Sequence, residues 1–290
     1  MVSLRINNSK AREFLAEFFG TLTFVCLGCS ANAVAHLNRI DSPSNQNQLF
    51  VLPIAWSLAL TVSLYLCAGV SGGHLNPAIT LGMATVGKIG WTKIFHYMIA
   101  QYLGAFFGSA ITFLIYRESL IKGNRNETFG VFSTLRRDDI TLGTALIDQI
   151  ISIALFVMII CAILDERNMS VPKGMIPIAI GFANLGAMQF SFSYNCGGPL
   201  NPARDFAPRI FALLSGWSEI AFTQGKFYYW VPIVACHIGG VIGCWLYRLI
   251  IENHWPIDSM HPSDRDEYGQ ESIHCNANNI YSRQIRVTQA

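Results

Sequence analysis

Charge is what this sequence has least of: Asp, Glu, Lys and Arg make up 13% of its 290 residues, against about 25% in ordinary soluble domains. Hydrophobic residues reach 52% and are gathered in long runs, which points to a membrane protein rather than to a large soluble core. The net charge is only +2 and no Lys/Arg-rich stretch is present, so nothing suggests nucleic acid as a partner. Cys26, Cys29, Cys67, Cys161, Cys236 and Cys244 fall within apolar runs and read as small buried hydrophobes. Cys26 and Cys29 have C-x-x-C spacing, but no second pair or histidine cluster accompanies them, so no zinc site is expected, and no cofactor either. Acidic residues are also nearly missing from the apolar runs. Glu17 and Asp148 are the exceptions, too few for the ion coupling of a secondary transporter.

Six stretches approach the 20 or so residues that a helix needs to cross the hydrocarbon core: 14–36, 49–70, 94–116, 142–164, 174–193 and 229–251. The first follows Arg5, Lys10 and Arg12. It exceeds the roughly 7 to 15 apolar residues of a secretory signal and reads as an uncleaved span. Gly104-x-x-x-Gly108 and Gly239-x-x-x-Gly243 set small residues on one helix face, where neighbouring backbones can approach. A polar loop (37–48), a long charged loop (117–141), a short charged turn near Asp165 and a polar tail (252–290) lie between or beyond the spans. A cytoplasmic N-terminus puts Lys88, Lys93, Arg167 and Lys173 inside, although the outer loop then carries Arg117, Lys122, Arg125, Arg136 and Arg137.

The chain repeats itself. Gly72-Gly73-His74-Leu75-Asn76-Pro77-Ala78 returns 125 residues later as Gly197-Gly198-Pro199-Leu200-Asn201-Pro202-Ala203, identical at six of seven positions. Each copy follows the second span of its half, and three spans per half is an odd number, so the halves must sit inverted in the membrane. The organisation expected is a leading segment 1–12, a first repeat 13–116, the connecting loop 117–141, a second repeat 142–251 and a disordered tail 252–290.

Asn is a favoured N-cap and Pro suits the first helical position, so Asn76-Pro77 and Asn201-Pro202 open helices, over 77–86 and 202–213. At about 15 Å each, neither crosses alone. Two of them entering from opposite faces and meeting N-terminus to N-terminus would make one span together. Irregular backbone at that depth is tolerated only where it lines a cavity. Carbonyls of Gly72, Gly73 and His74, and of Gly197, Gly198 and Pro199, can then form acceptor ladders while Asn76 and Asn201 donate at the centre. Two positive helix ends at one point oppose cations and hydronium.

The two Asn-Pro-Ala triplets, the stretch from Ala68 to Ala78, and Leu200-Asn201-Pro202-Ala203-Arg204-Asp205-Phe206 resemble the major intrinsic protein (aquaporin) family, over about 16–251. Asp205 after Arg204, and the long loop, are similar to its glycerol-conducting branch. The resemblance implies an all-α fold of six transmembrane helices plus two re-entrant half-helices. It also implies a homotetramer with one pore per subunit, and passive, non-enzymatic passage of water and glycerol or similar small uncharged solutes through the lipid bilayer. Arg204 matches the arginine of the family's constriction, and the other positions fall at Trp56, Gln189 and Gly198. Gln189 departs from the Gly of glycerol channels and the His of strict water channels, which leaves a water-selective pore open. Trp56 as an interfacial anchor and Gln189 packed on a neighbouring helix are the alternative readings of those two residues. Glu17 and Asp148 match positions that brace the re-entrant loops, and His74 reads as packed beneath its loop. A secondary transporter, or a structural or adhesive membrane protein, is the rival of another class. The sequon Asn126-Glu127-Thr128 makes Asn126 a glycosylation site if loop 117–141 faces outside, as in a plasma-membrane protein with both termini in the cytoplasm.

Overall fold

The computed structural model describes residues 5–41 and 48–256. Of the tail 252–290, expected to be disordered, residues 252–256 are described: they carry a 3-10 turn (Glu252–His254), with Glu252 paired to Arg167 and Trp255 donating to Asp165, and the rest lies outside the described residues. In chain order the main helices are α1 (Ser9–Asp41), α2 (Gln48–Ser71), the half-helix α3 (Pro77–Thr85), α4 (Ile94–Lys122), α5 (Leu142–Leu164), α6 (Ile176–Ala183), the half-helix α7 (Pro202–Ala212) and α8 (Val231–Ile250). Among the described residues five helices are long and apolar enough to cross a membrane, those built on α1, α2, α4, α5 and α8. The fifth expected run, 174–193, differs. It is a 3-10 turn (Lys173–Met175), then α6, then a π turn (Asn184–Gln189), so 173–189 is helical throughout without being one α-helix. A π turn holds an extra residue and re-aims the side chains after it; an unbroken apolar run hides this.

The halves are built alike. A Cβ on Gly104 or Gly108 of α4 would lie 2.4 and 2.6 Å from the Phe18 and Leu22 carbonyls of α1. On Gly239 or Gly243 of α8 it would lie 2.4 and 2.3 Å from the Ile150 and Ala154 carbonyls of α5. Both small-residue motifs therefore sit where two helix backbones touch. Gly82 of α3 and Gly240 of α8 make a third such contact, at 2.6 Å from the Gly82 Cβ position to the Gly240 carbonyl. We expect Gly243→Val to lower stability by about 1–3 kcal/mol, the usual cost of overpacking. Gly69→Ala, which meets nothing within 4 Å, should be neutral. Thermal unfolding in detergent checks both, and an unchanged midpoint for Gly243→Val would contradict the packing.

The connecting segment is more than a charged surface loop. After the end of α4 it forms a short helix (Arg125–Thr128) and a 3-10 turn (Phe129–Val131), and it buries Phe129, Val131 and Phe132 completely. Phe132 meets Trp217 edge-on at 4.9 Å, Trp217 Nε1 donates to Thr128 Oγ1 at 3.1 Å, and Arg125 lies 4.6 Å over the Trp217 ring. The segment is thereby held down on the turn that follows the second half-helix, and Phe132 also meets Phe211 of that half-helix at 5.5 Å.

Candidate functional site

Asn76 and Asn201 stand at the meeting point of α3 and α7. Each is an extended N-cap whose Oδ1 accepts the Ala78 or Ala203 N–H, at 2.9 and 3.0 Å. Each Nδ2 crosses to the other half: Asn76 donates to the Leu200 carbonyl at 2.8 Å, and Asn201 to the Leu75 carbonyl at 2.7 Å. A primary amide carries two N–H donors, so one remains on each residue to face the lumen. Leu75 and Leu200 adopt φ of 52° and 53°, a left-handed backbone that costs an ordinary residue about 1–2 kcal/mol. The cost is offset because this turn aims each Leu carbonyl at the opposite Asn.

Glu17 holds the first loop. It is fully buried and accepts from Ser71 Oγ (2.6 Å), the His74 and Leu75 amides (2.9 and 2.7 Å) and Gln101 Nε2 (2.8 Å). The second half corrects the expectation for Asp148. No loop backbone N–H donates to it; its oxygens take Gln149 Nε2 (2.7 Å) and Asn195 Nδ2 (3.0 Å), while the Leu200 amide reaches Gln149 Oε1 at 3.5 Å. The shorter Asp side chain grips the loop through Asn195, and Gln149 takes the place next to the backbone. His74 is set against Thr80 (Nδ1 to Oγ1 3.1 Å) and edge-on to Tyr97 (5.2 Å), and the residue also borders the cavity.

A cavity of about 490 Å³ passes both asparagines. Trp56, Gln189, Gly198 and Arg204 line one part of it, and Lys88, Asp165, Lys173 and Tyr247 another. Gly72, Gly73, His74, Gly198 and Pro199 line it together with Leu60, Leu64, Ile79, Phe156 and Ile160. Gly197 does not line it: its amide closes the Ser193–Cys196 turn on the Ser193 carbonyl at 2.8 Å, and it faces Thr134. Pro77, Ala78, Pro202 and Ala203 are buried behind the wall as the first turns of their helices.

At the first of these places, Arg204 Cζ lies 4.1 Å over the Trp56 ring, and a Cβ on Gly198 would be 3.5 Å from Gln189 Oε1. Arg204 is buried; its Nη1 makes no hydrogen bond among the described residues and lies 4.0 Å from Asp205 Oδ1. Such a donor suits a hydroxyl or water in the lumen, while the charge opposes cations. Asp205 fixes the base of Arg204's turn. It is fully buried, accepts from Ser133 Oγ (2.9 Å) and from Thr134 N and Oγ1 (2.8 and 2.6 Å), and pairs with Arg209 at 2.9 Å.

At the other place, Asp165 accepts from Arg167, Tyr247 and Trp255. Burial alone would raise this carboxyl, but those donors outweigh it and hold it below the usual carboxylate range. Three polar residues of this architecture escaped sequence reading: Asn32, Gln101 and Gln149, all buried inside apolar runs. The reasoning that singles out intramembrane carboxylates applies to amides too, and would have found them.

Comparison with known proteins agrees with this geometry. The Major intrinsic protein family matches residues 5–247. Aquaporin-9 of Homo sapiens is 37% identical over 273 residues, covering 91% of each chain. Aquaporin-3 of Milnesium tardigradum is 38% identical over 268 residues, covering 88% of this chain and 82% of its own. The X-ray structure of the aquaglyceroporin from Plasmodium falciparum superposes with a TM-score of 0.75 at 29% identity, over 83% of this chain and 97% of that one. Inverted halves, paired Asn-Pro-Ala half-helices and a match along nearly the whole transmembrane region lead to one assignment: the chain belongs to the major intrinsic protein family.

Proposed function

We propose that this protein is a passive channel for water and small uncharged solutes, glycerol among them, and that it excludes ions and protons. One observation carries the reading. The two half-helix starts are cross-bonded beside a cavity lined both by apolar side chains and by the two glycine-containing loops. A polyol suits such a mixed lining, since it carries both C–H groups and hydroxyls. The likeness to an aquaglyceroporin structure and to named aquaporins adds support. An ion-coupled transporter is disfavoured because all four contacts to Glu17 come from fold-holding donors, leaving no oxygen for a coupling ion. Swelling of proteoliposomes in sucrose, glycerol and urea gradients tests the reading. A channel gives fast flux with a low temperature dependence and no ion requirement; ion-dependent flux would overturn it.

The proposal includes a homotetramer in the plasma membrane, both termini in the cytoplasm, and Asn126 outside. Asn126 is exposed at the start of the short helix that packs on Trp217. Expressed through a eukaryotic secretory pathway, the protein should lose glycosidase-sensitive mass in Asn126→Gln and keep it in Asn168→Gln. The reverse pattern would invert the topology.

A further inference from the structure

The wall residue Trp56 has a single polar atom, the indole N–H, which can only donate. It does not face the lumen. It donates to Asn32 Oδ1 at 3.0 Å, and Asn32 Nδ2 in turn donates to the Val131 carbonyl at 3.1 Å and the Gly130 carbonyl at 3.4 Å. The amide orientation is unambiguous, since an indole only donates and carbonyls only accept. Asn32 is buried on α1 and does not border the cavity. The ring it holds fits closely: a Cβ on Gly28 would lie 2.2 Å from it, and Phe24 meets it edge-on at 5.2 Å.

The same stretch of chain grips the opposite wall. Ser133 and Thr134 bind Asp205, the neighbour of Arg204, and Arg209 donates to the Thr134 carbonyl. Residues 130–134 of the connecting segment thus hold Asn32, which binds Trp56, and Asp205, the neighbour of Arg204, and so reach both members of the stacked pair through one intermediary each. We propose that Asn32 is a positioning residue of the solute filter, setting the place of the Trp56 ring by tying it to this strap. The inference rests on the channel reading above, and it adds a residue that no passing solute touches.

The test is a double-mutant cycle on the glycerol-to-water permeability ratio, measured in proteoliposomes at matched protein. Asn32→Leu keeps the branching and the number of heavy atoms, at some added bulk, and removes both hydrogen-bonding ends. It should shift the ratio by roughly fivefold, what one neutral hydrogen bond is worth. In a Trp56→Phe background, where there is no indole N–H to hold, the same change should have little further effect. Equal effects in both backgrounds would overturn the proposal, as would an unchanged ratio in Asn32→Leu when Trp56→Phe does change it. A readout independent of flux is the 15N-indole NMR resonance that disappears in Trp56→Phe. It should move in Asn32→Leu and stay near its place in Asn32→Asp, which retains an acceptor for the indole. A resonance unmoved in Asn32→Leu refutes the tie even if the protein conducts nothing, whereas absent flux in the wild type with a moved resonance refutes only the channel reading. Should Asn32→Leu fail to accumulate, Asn32→Ala carries the same readouts.

Discussion

Glu17→Gln is expected to reduce both water and glycerol permeability at least about tenfold at matched protein level. The change keeps the size of the side chain and replaces one accepting oxygen by an NH2 group. Each Glu17 oxygen receives two donors: Ser71 Oγ and the His74 amide on one, the Leu75 amide and Gln101 on the other. An NH2 in either place meets two donors head-on. A buried donor left without an acceptor costs about 1–3 kcal/mol, and each 1.4 kcal/mol is a factor of ten in population. The loss falls on Leu75, whose left-handed backbone positions the carbonyl that Asn201 grips, so the lumen should collapse where the half-helices meet. Asp148→Asn should be milder, within about threefold, because Asp148 grips only side chains and an amide can still accept from Asn195. Stopped-flow light scattering on proteoliposomes measures both. Wild-type flux in a folded Glu17→Gln protein would mean that the cross-bonds of Asn76 and Asn201 hold the loops unaided.

Glu17 and Asp148 also mark how far the sequence could be read. Their presence in apolar runs was enough to say that each needs partners, because an unpaired charge inside a membrane is expensive. Which partners they take was not legible. That depends on side-chain length and on the neighbouring Gln149, and one residue along a helix turns the side chain by about 100°. The half-helices were legible almost to the residue: Asn-Pro is a local start signal, and its repetition in inverted halves is hard to obtain otherwise. The glycine motifs were legible for a related reason, since close backbone approach depends on what is absent from the side chain.

The connecting segment reads in sequence only as a long charged loop, and how its arginines are used was not legible there; Arg137 is exposed, whereas Arg136 is buried. In the fold Arg125 stacks on Trp217, Arg136 donates to backbone carbonyls, and Arg137 pairs with Asp139. These cations serve the architecture of the segment, which is why counting them gave an equivocal orientation. The fifth apolar run looked like an ordinary helix for a different reason. Periodicity cannot register a π turn where nearly every residue is apolar.

That π turn ends on Gln189, and the largest change in selectivity is expected there and at Gly198. Gly198 has φ of 59°, so any side chain there carries backbone strain. Gly198→Ala measures that strain alone. Gly198→Phe adds a ring starting 3.5 Å from the Gln189 amide, with Arg204 and Trp56 already stacked across the site. The ring must enter the lumen or displace Gln189 into it. Glycerol permeability should fall about tenfold relative to Gly198→Ala, equal to about 1.4 kcal/mol of added barrier, and water permeability should fall less because water is smaller. Gln189→Gly acts in the opposite direction: it removes the one wall side chain that neither stacks nor pairs with another, and should raise the glycerol-to-water ratio. Gln189 also brings an amide that can bond a hydroxyl, so the sign of the change separates two mechanisms. A higher ratio in Gln189→Gly means that the side chain acts by its bulk. A lower one means that it guides the solute by hydrogen bonding, and unchanged ratios in both substitutions would remove these positions from the filter.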